Sequence, residues 1–222
     1  MTDARATLPL PVIMLVTDRK ICGERSLDDV VAAAVDGGVN VVQVREKDLS
    51  GGQLFALVTR LAGIVRRRAL LLVNERVDVA IAAGADGVQL GEDALPPQVV
   101  RAMAPGLLIS RSVHDTTGAA EAAARGADML VVGSMFATGS HPGALPGGPT
   151  LLRKIAASVS VPLVGIGGIR AANASQVIGA GAAGVAVLSK IQADPDPRAS
   201  ANRLASAVRE AWPTAPLHRR RS

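Results

Sequence analysis

The chain has 222 residues and a mass of 22.6 kDa, a length typical of one domain. Hydrophobic residues make up 49% of it and charged residues 19%, which excludes a disordered chain and predicts a large buried core. Aromatic residues are scarce, with two Phe, one Trp and no Tyr. Because single-stranded nucleic acids are bound by stacking bases on aromatic side chains, this composition argues against a nucleic-acid partner.

Much of the formal net charge of +5 is local. Arg66, Arg67 and Arg68 are consecutive, and the C-terminal segment 213–222 is basic. We interpret the first as a solvated helix end and the second as a tail. The single cysteine, Cys22, excludes a disulfide framework and a cysteine-based zinc site. The early apolar run 12–16 is too short for a signal sequence or a membrane span, so we expect a cytoplasmic protein without a membrane partner.

Eight apolar segments of β type recur along the chain, and a stretch with helical character follows each of them. The predicted strands are 12–17, 39–45, 69–73, 86–90, 107–111, 128–133, 161–166 and 184–188. The predicted helices are 26–37, 51–67, 76–83, 96–104, 116–125, 149–158, 171–180 and 196–211. Ser50 with Gln53 three residues later resembles a capping box, which marks the start of the second helix.

One helix-to-strand joint occurs four times, and in each case an apolar run follows a glycine. The four glycines are Gly38, Gly84, Gly126 and Gly181. Glycine supplies the left-handed conformation after a helix, and a continuous apolar run is typical of a buried parallel strand. Eight strands alternating with eight helices predict an α/β fold, a single (β/α)8 TIM barrel over residues 1–222 with its core at about 12–211.

In this fold the active site lies at the carboxyl ends of the strands, and polar residues of this chain concentrate there. The segment VGIGGIR, 164–170, follows the seventh strand, and Leu188 and Ser189 end the eighth. Loops after these two strands form the usual phosphate site of such barrels. The small residues Gly167 and Gly168 let backbone N–H groups approach an anion, so we predict phosphate binding there. A plain tight turn is the alternative.

The segment QVREK, 43–47, ends the second strand, and alternation directs Gln43, Arg45 and Lys47 to one side. Two cations beside an amide suit a second phosphate or a diphosphate, whereas a surface salt-bridge cluster is the alternative.

Acidic residues end the third and fourth strands, with Glu75 beside Asn74 and Asp93 beside Glu92. Oxygen ligands of this kind suit Mg²⁺ bridging a diphosphate. A role as helix N-caps is the alternative, above all for Asp93.

Two histidines follow later strands. His114, in RSVHD, is either an acid–base group or a structural histidine. Ser140 and His141 lie in ATGSHPGALPGG, 137–148, the one long loop after a predicted strand. Its Gly and Pro content indicates a lid or a disordered insertion.

Five motifs in this order resemble the thiamine-phosphate synthase and TenI family over about residues 12–195. They are QVREK, NERVDVAIAAGADGVQLGED, RSVHD, GSMFATGSHPG and VGIGGI. The resemblance implies a (β/α)8 barrel and one of two activities. Synthases of the family join hydroxymethylpyrimidine diphosphate to thiazole phosphate with Mg²⁺, giving thiamine phosphate and diphosphate. TenI-type members isomerise a thiazole carboxylate phosphate to its aromatic tautomer.

The resemblance also implies roles for particular residues. The side chains that match the pyrimidine diphosphate site are Gln43, Arg45, Lys47, Asn74 and Ser112. Thr138 matches a contact on the thiazole side, and Gly168 and Ser189 match the cradle of the thiazole phosphate. His114 matches the histidine implicated in tautomerase acid–base chemistry.

Three positions depart from the family pattern. The usual Asn-Asp pair is Asn74-Glu75, and the second metal aspartate, before Leu-Pro, is Ala94 with Asp93 one place early. The lysine of the strand-six loop falls at His141. The predicted metal ligands are therefore Glu75 and Asp93, for Mg²⁺.

Because QVREK is complete and a tautomerase has less need of it, the resemblance favours the synthase, a transferase. The tautomerase, an isomerase, is one alternative, and a non-catalytic phosphate-binding regulator on the same barrel is another. The predicted catalytic residues are Arg45, Lys47 and His114, and the expected partners are small phosphorylated substrates. A homo-oligomer is compatible with the sequence.

Overall fold

The computed structural model describes residues 5–138 and 146–212. Eight parallel strands pair in chain order and close into one barrel. They are β1 Val12–Val16, β2 Val41–Val44, β3 Leu70–Asn74, β4 Gly87–Leu90, β5 Leu108–Val113, β6 Met129–Gly133, β7 Leu163–Ile166 and β8 Gly184–Val187. This confirms the predicted fold, and every predicted strand is found with its ends within two residues. The basic segment 213–222 lies outside the described residues.

Helices surround the barrel and alternate with the strands. They are α1 Leu27–Asp36, α2 Gly51–Val65, α3 Val77–Ala82, α4 Pro97–Met103, α5 Thr116–Ala124, α6 Gly148–Ser158, α7 Ala171–Gly179, α8 Ser189–Gln192 and α9 Pro197–Ala211. The sequence did not predict α8 or the 3-10 turn Arg19–Ile21, because a single turn is too short to show helical periodicity. Within the described residues, no helix combines the length and the apolar character that crossing a membrane requires.

Residues with specific local conformations begin and end the helices of the barrel. Ser50 and Gln53 make the predicted capping box at the start of α2. The four predicted joint glycines all have positive φ, from 65° at Gly84 to 107° at Gly38. A positive φ lets the chain leave a helix in the left-handed conformation, which ordinary side chains disfavour. The helix-to-strand joints therefore follow directly from the sequence.

The core has two parts, one inside the barrel and one between the strands and the helices. The interior is packed by alternate strand residues such as Val12, Met14 and Val41. Towards the carboxyl ends, the interior positions of β2 to β5 become polar. They are occupied by Gln43, Asn74, Gln89, Ser110 and Ser112. The amino-terminal half of the barrel interior is therefore filled by apolar side chains, whereas polar side chains lie inside its carboxyl-terminal end on β2 to β5.

Closure of the barrel depends on a glycine in β8. A Cβ on Gly184 would lie 2.1 Å from the carbonyl oxygen of Val12 and 2.5 Å from its Cβ. We expect Gly184→Ala to lower the free energy of unfolding by about 1–3 kcal/mol, because the overpacked strands must move apart. Gly63→Ala is the matched control, since Gly63 lies within α2 with no atom within 4 Å of an added Cβ. It should raise stability by about 0.5–1 kcal/mol.

Urea unfolding of the three proteins measures both effects. Equal stability of Gly184→Ala and the unmodified chain would show that β8 tolerates a wider separation from β1.

Candidate active site

An amide pair joins two neighbouring strands at the mouth of the barrel. The Gln43 side chain donates from Nε2 to Oδ1 of Asn74 over 3.0 Å, and Gln43 is 4% exposed. Because Oδ1 of Asn74 accepts this bond, its amide NH₂ remains a donor for a ligand. The structure therefore brings together two residues that the sequence assigned to one site from different strands.

A second polar group continues the same wall. Gln89 in β4 donates from Nε2 to Oγ of Ser112 over 3.0 Å, and its Oε1 accepts from the Ser110 hydroxyl. Gln89 is 3% exposed and Ser110 is fully buried. The sequence analysis assigned a role to Ser112 but missed Gln89 and Ser110. The sequence does contain a signal for Gln89, because this glutamine lies inside the apolar run GVQL and the alternation of side chains along a strand directs it inward.

The opposite side of the mouth is apolar. Four apolar residues of the interior cluster lie there. Val16 belongs to β1, Val131 to β6 and Ile166 to β7, and Leu188 directly follows β8. Leu188 is half-buried and immediately precedes α8. The mouth thus has a polar half on β2 to β5 and an apolar half on the remaining strands. Such a site can hold a polar ring on one side and an apolar ring on the other.

Two cations project from the end of β2. Lys47 is exposed and Arg45 is half-buried. Among residues 5–138 and 146–212, neither the Arg45 guanidinium nor the Lys47 ammonium has a hydrogen bond or an ion pair. The alternative of a surface salt-bridge cluster therefore does not hold for these two side chains. Both charges remain available to an anionic ligand.

The intervening residue, Glu46, faces the other way and is buried, as alternation predicts. Its carboxylate accepts from the Thr17 hydroxyl over 2.7 Å and from the backbone and guanidinium of Arg19. Thr17 in turn accepts from the backbone N–H of Arg45 over 3.0 Å. Glu46 thereby fixes the loop from which Arg45 and Lys47 project.

Arg19 also binds Asp48 with two nitrogens, over 2.7 Å each. Hydrogen bonds from Arg19 and from Lys20 hold the pKa of Asp48 well below its ordinary value. The cluster ties the loops after β1 and β2 together. A salt-bridge cluster, the alternative interpretation of QVREK, is therefore present, but Glu46 is the member of QVREK that takes part in it.

The predicted metal carboxylates lie at the ends of β3 and β4. Glu75 has φ of 60°, and its Oε1 would lie 2.6 Å from a Cβ added to Gly91. Glu75 and Asp93 are both exposed. The N-caps of α3 and α4 are Arg76 and Pro96. The alternative that these carboxylates cap helices is therefore wrong.

Arg111 holds the loop that carries Asp93. Its guanidinium donates to the carbonyl oxygens of Glu92, Ala94 and Leu95. Burial lowers the pKa of Arg111, while the charges of Glu92, Asp93 and Glu75 act in the opposite direction. Because Glu75 lies beside Gly91, and Glu92 and Asp93 directly follow Gly91 in the chain, the three carboxylates belong to one side of the mouth. Across the described ranges, no group of three or more His, Cys, Asp or Glu side chains is placed to hold a metal ion.

His114 follows β5 and is exposed. Its Nδ1 lies 2.8 Å from the carbonyl oxygen of Gly133, and a carbonyl only accepts, so Nδ1 carries the hydrogen. Its Nε2 faces Oε2 of Glu92 at 4.0 Å. The sequence alone indicated no partner for His114, because Gly133 ends β6 and Glu92 lies in the loop after β4, both distant from His114 in the chain.

The turn after β7 is built from Gly167 and Gly168, with φ of 100° and 63°. A Cβ on Gly168 would lie 2.5 Å from the carbonyl oxygen of Ala137, so the turn packs against the loop after β6. Buried Asn173 donates to the Gly168 carbonyl oxygen and accepts from the N–H of Arg170. The sequence analysis missed Asn173, whose side chain holds this turn.

Three backbone N–H groups at the ends of β7 and β8 have no partner among the described residues. In the part of the chain that the structure describes, no hydrogen bond engages the N–H groups of Gly167, Gly168 or Ser189. Ser189 is exposed at the first position of α8. Thr138 is the last described residue of the loop after β6, whereas Ser140 and His141 lie outside the described residues.

We expect Glu46→Gln to lower the free energy of unfolding by about 1–3 kcal/mol, because one buried acceptor of Arg19 becomes a donor. Asp48→Asn is the matched control, since it alters the exposed partner of the same Arg19. Its effect should be much smaller, because water screens an exposed pair. Chemical unfolding at neutral pH measures both variants. Equal losses would mean that burial of Glu46 adds nothing to the interaction.

Comparison with known proteins identifies the family. The sequence model described as thiamine monophosphate synthase matches residues 13–191. A thiamine-phosphate synthase of Roseiflexus castenholzii is 43% identical, with 89% of this chain and 90% of that protein covered. One from Methanoculleus marisnigri is 46% identical, covering 86% and 92%. The structure of thiamine phosphate pyrophosphorylase from Pyrococcus furiosus superposes with a TM-score of 0.84 at 37% identity, covering 90% and 96%. The chain therefore belongs to the thiamine monophosphate synthase family.

Proposed function

We propose that the chain couples hydroxymethylpyrimidine diphosphate to thiazole phosphate, forming thiamine phosphate and releasing diphosphate. The relatives at 43% and 46% identity carry the name of this activity, which confirms the predicted synthase and its class as a transferase. The observation that carries the proposal is the pair of cations, Arg45 and Lys47, beside the amide pair of Gln43 and Asn74. A tautomerase substrate with a single phosphate would leave these two charges without a function.

The pyrimidine diphosphate occupies the polar half of the mouth. The free amide donors of Asn74, fixed by Gln43, suit the ring nitrogens of a pyrimidine. The Ser112 hydroxyl, held by Gln89, offers a further contact on the same wall. The diphosphate then extends towards Arg45 and Lys47. This places the negative charge beside two cations that have no competing partner among the described residues.

Glu75 and Asp93 would hold Mg²⁺ at this diphosphate. The donor set fits, because Mg²⁺ binds through one or two carboxylates and completes its shell with phosphate oxygens and waters. Both side chains are exposed on the side of the mouth where the charges of Glu75, Glu92 and Asp93 act together on Arg111. When bound, the ion neutralises charge on the leaving diphosphate.

The thiazole phosphate occupies the other half. Its phosphate binds at the unengaged N–H groups of Gly167, Gly168 and Ser189, where small residues let the backbone approach. Its ring lies against the apolar side, which includes Leu188. The family resemblance implies further contacts to it from Thr138, Ser140 and His141. The two substrates thereby meet across the barrel axis.

The reaction breaks the bond between the pyrimidine methylene carbon and the diphosphate oxygen, and the electron pair leaves with the diphosphate. The resulting pyrimidinylmethyl cation accepts the lone pair of the thiazole nitrogen, which forms the new C–N bond. Arg45 and Lys47 stabilise the charge that develops on the departing group from fixed positions. No proton is transferred in this coupling. His114 therefore binds and orients substrate in the synthase, and acts in acid–base chemistry only in the tautomerase alternative.

The test is an assay of the purified chain with both synthase substrates, with and without Mg²⁺. The thiazole carboxylate tautomer is assayed alone in parallel. We expect Mg²⁺-dependent formation of thiamine phosphate and little isomerisation. Isomerisation without coupling would assign the chain to the TenI branch, and binding without either reaction would support the regulator. We further propose a cytoplasmic location, in keeping with a biosynthetic activity on small phosphorylated substrates.

Replacement of Lys47 by methionine removes one cation that lies beside the leaving group. We expect kcat for coupling to fall by the equivalent of about 2–4 kcal/mol, as for other groups that stabilise developing charge. Lys154→Met is the matched control, because Lys154 is an exposed lysine on α6. Steady-state kinetics with saturating substrates measures both variants. Unchanged coupling in Lys47→Met would remove this side chain from the diphosphate site.

The carboxylates are tested by their Mg²⁺ dependence. We expect Glu75→Gln to raise the Mg²⁺ concentration needed for half-maximal rate, because the neutral amide is a weaker ligand. Ala94→Asp should lower that concentration, since it adds a carboxylate next to Asp93. Glu121→Gln, an exposed glutamate on α5, is the control. If Glu75→Gln retained the Mg²⁺ dependence of the unmodified chain, another group would have to hold the ion.

A further inference from the structure

A cavity of about 340 Å³ lies at the amino-terminal end of the barrel, opposite the candidate active site. It lies between the end of α2, the residues that precede β2 to β4, and the segment before β1. Its walls include Pro9, Ala62 and Val65, and its mouth is lined by the consecutive arginines Arg66, Arg67 and Arg68. The proposed synthase activity uses none of these residues. They form a separate basic pocket.

The charge of this pocket is not balanced. Arg68 donates to the carboxylate of Asp36 and to the carbonyl oxygen of Ile64. Within the described residues, by contrast, the guanidinium groups of Arg66 and Arg67 have no hydrogen bond or ion pair.

Two further polar side chains of the wall bind the protein backbone. Asp86 accepts from the N–H of Leu71, and Asn40 binds the backbone of Ile13 and of Pro11. Arg66 and Arg67 therefore line the cavity without a partner among the described residues, and Asp86 is the one carboxylate among the lining residues.

The backbone at these arginines is unusual for this chain. Arg66 and Arg67 have φ of 25° and 60°, a region that side chains other than glycine disfavour. Four other helix-to-strand joints of the barrel use glycine at this conformation. The joint after α2 has arginine instead, and the N–H groups of Arg66 and Arg68 donate to the carbonyl oxygens of Ala62 and Val65. Residues that persist in such conformations cluster at ligand-binding sites.

We propose that this pocket binds a diphosphate ester, at a site separate from the catalytic one. Each free guanidinium can bind one phosphate group with two parallel hydrogen bonds, so two of them match a diphosphate. The volume lies within the range of about 300–1,000 Å³ that small-molecule pockets occupy, and it exceeds the need of a lone phosphate. The apolar wall of Ala62, Val65 and Pro9 receives the organic part.

The experiment is calorimetric titration of the full chain with ADP and, separately, with inorganic diphosphate. The test variant is Arg66→Gln/Arg67→Gln. The matched control is Arg125→Gln, which alters an exposed arginine at the end of α5 on the same face, away from the cavity. We expect the double variant to lose one binding site, or to bind there at least about tenfold more weakly, while Arg125→Gln binds as the unmodified chain does. Thiamine phosphate formation should be unchanged in both.

Comparison of the two probes tells whether the organic part contributes. Tighter binding of ADP than of inorganic diphosphate, dependent on the two arginines, supports the ester. The same stoichiometry and affinity in all three proteins would overturn the proposal. It would also be overturned if an RNA oligonucleotide, and neither diphosphate probe, bound in a manner that depended on Arg66 and Arg67.

A second variant separates binding from folding. Arg67→Gly places the preferred residue at a positive φ, so the melting temperature should rise. A purely structural arginine would leave ligand affinity unchanged in this variant. We expect the affinity for ADP to fall at least about tenfold in spite of the higher stability.

Discussion

Contact between the backbones of β8 and β1 at Gly184 closes the barrel, and the candidate site depends on this closure. Any side chain at Gly184 would overlap Val12, so the sheet closes only because this position is empty. Gly87 plays the same part between β4 and β5, where an added Cβ would lie 2.2 Å from the carbonyl oxygen of Leu108. Closure brings the carboxyl ends of all eight strands to one rim. Residues as distant in the chain as Val16 and Leu188 thereby lie in one interior cluster.

The rim has two chemically different halves, which follow from the interior positions of the strands. Amide and hydroxyl groups project inward from β2 to β5 and are hydrogen-bonded in pairs, as in Gln43 with Asn74 and Gln89 with Ser112. Such pairing is required because unsatisfied polar groups in a buried wall are costly. The remaining strands contribute apolar side chains. A reaction that joins two rings with different polarity is suited to such a divided mouth.

The charged groups around the rim divide into those that hold the loops and those that remain available. Arg19 binds both Glu46 and Asp48 and thereby fixes the loop after β2. Arg111 holds the loop after β4 through three backbone carbonyls. Because these residues position the loops, Arg45 and Lys47 need no partner in the protein. In the proposed reaction, their positive charge would stabilise the charge that develops on the leaving diphosphate.

The sequence by itself determined the elements, the fold and the residue types at the strand ends, because these depend on local periodicity and on glycine. The joints at Gly38, Gly84, Gly126 and Gly181 and the alternation in QVREK were readable since each involves neighbours in the chain. Only the tertiary structure decided which side chains pair. It pairs Gln43 with Asn74 and His114 with Gly133. It excludes helix capping by Glu75 and Asp93. It also shows that Gln89 and Asn173 hold other parts of the site in place. These contacts connect different strands or the side chain and backbone of a turn. Their geometry depends on the register of the closed sheet, which no single segment of the sequence contains.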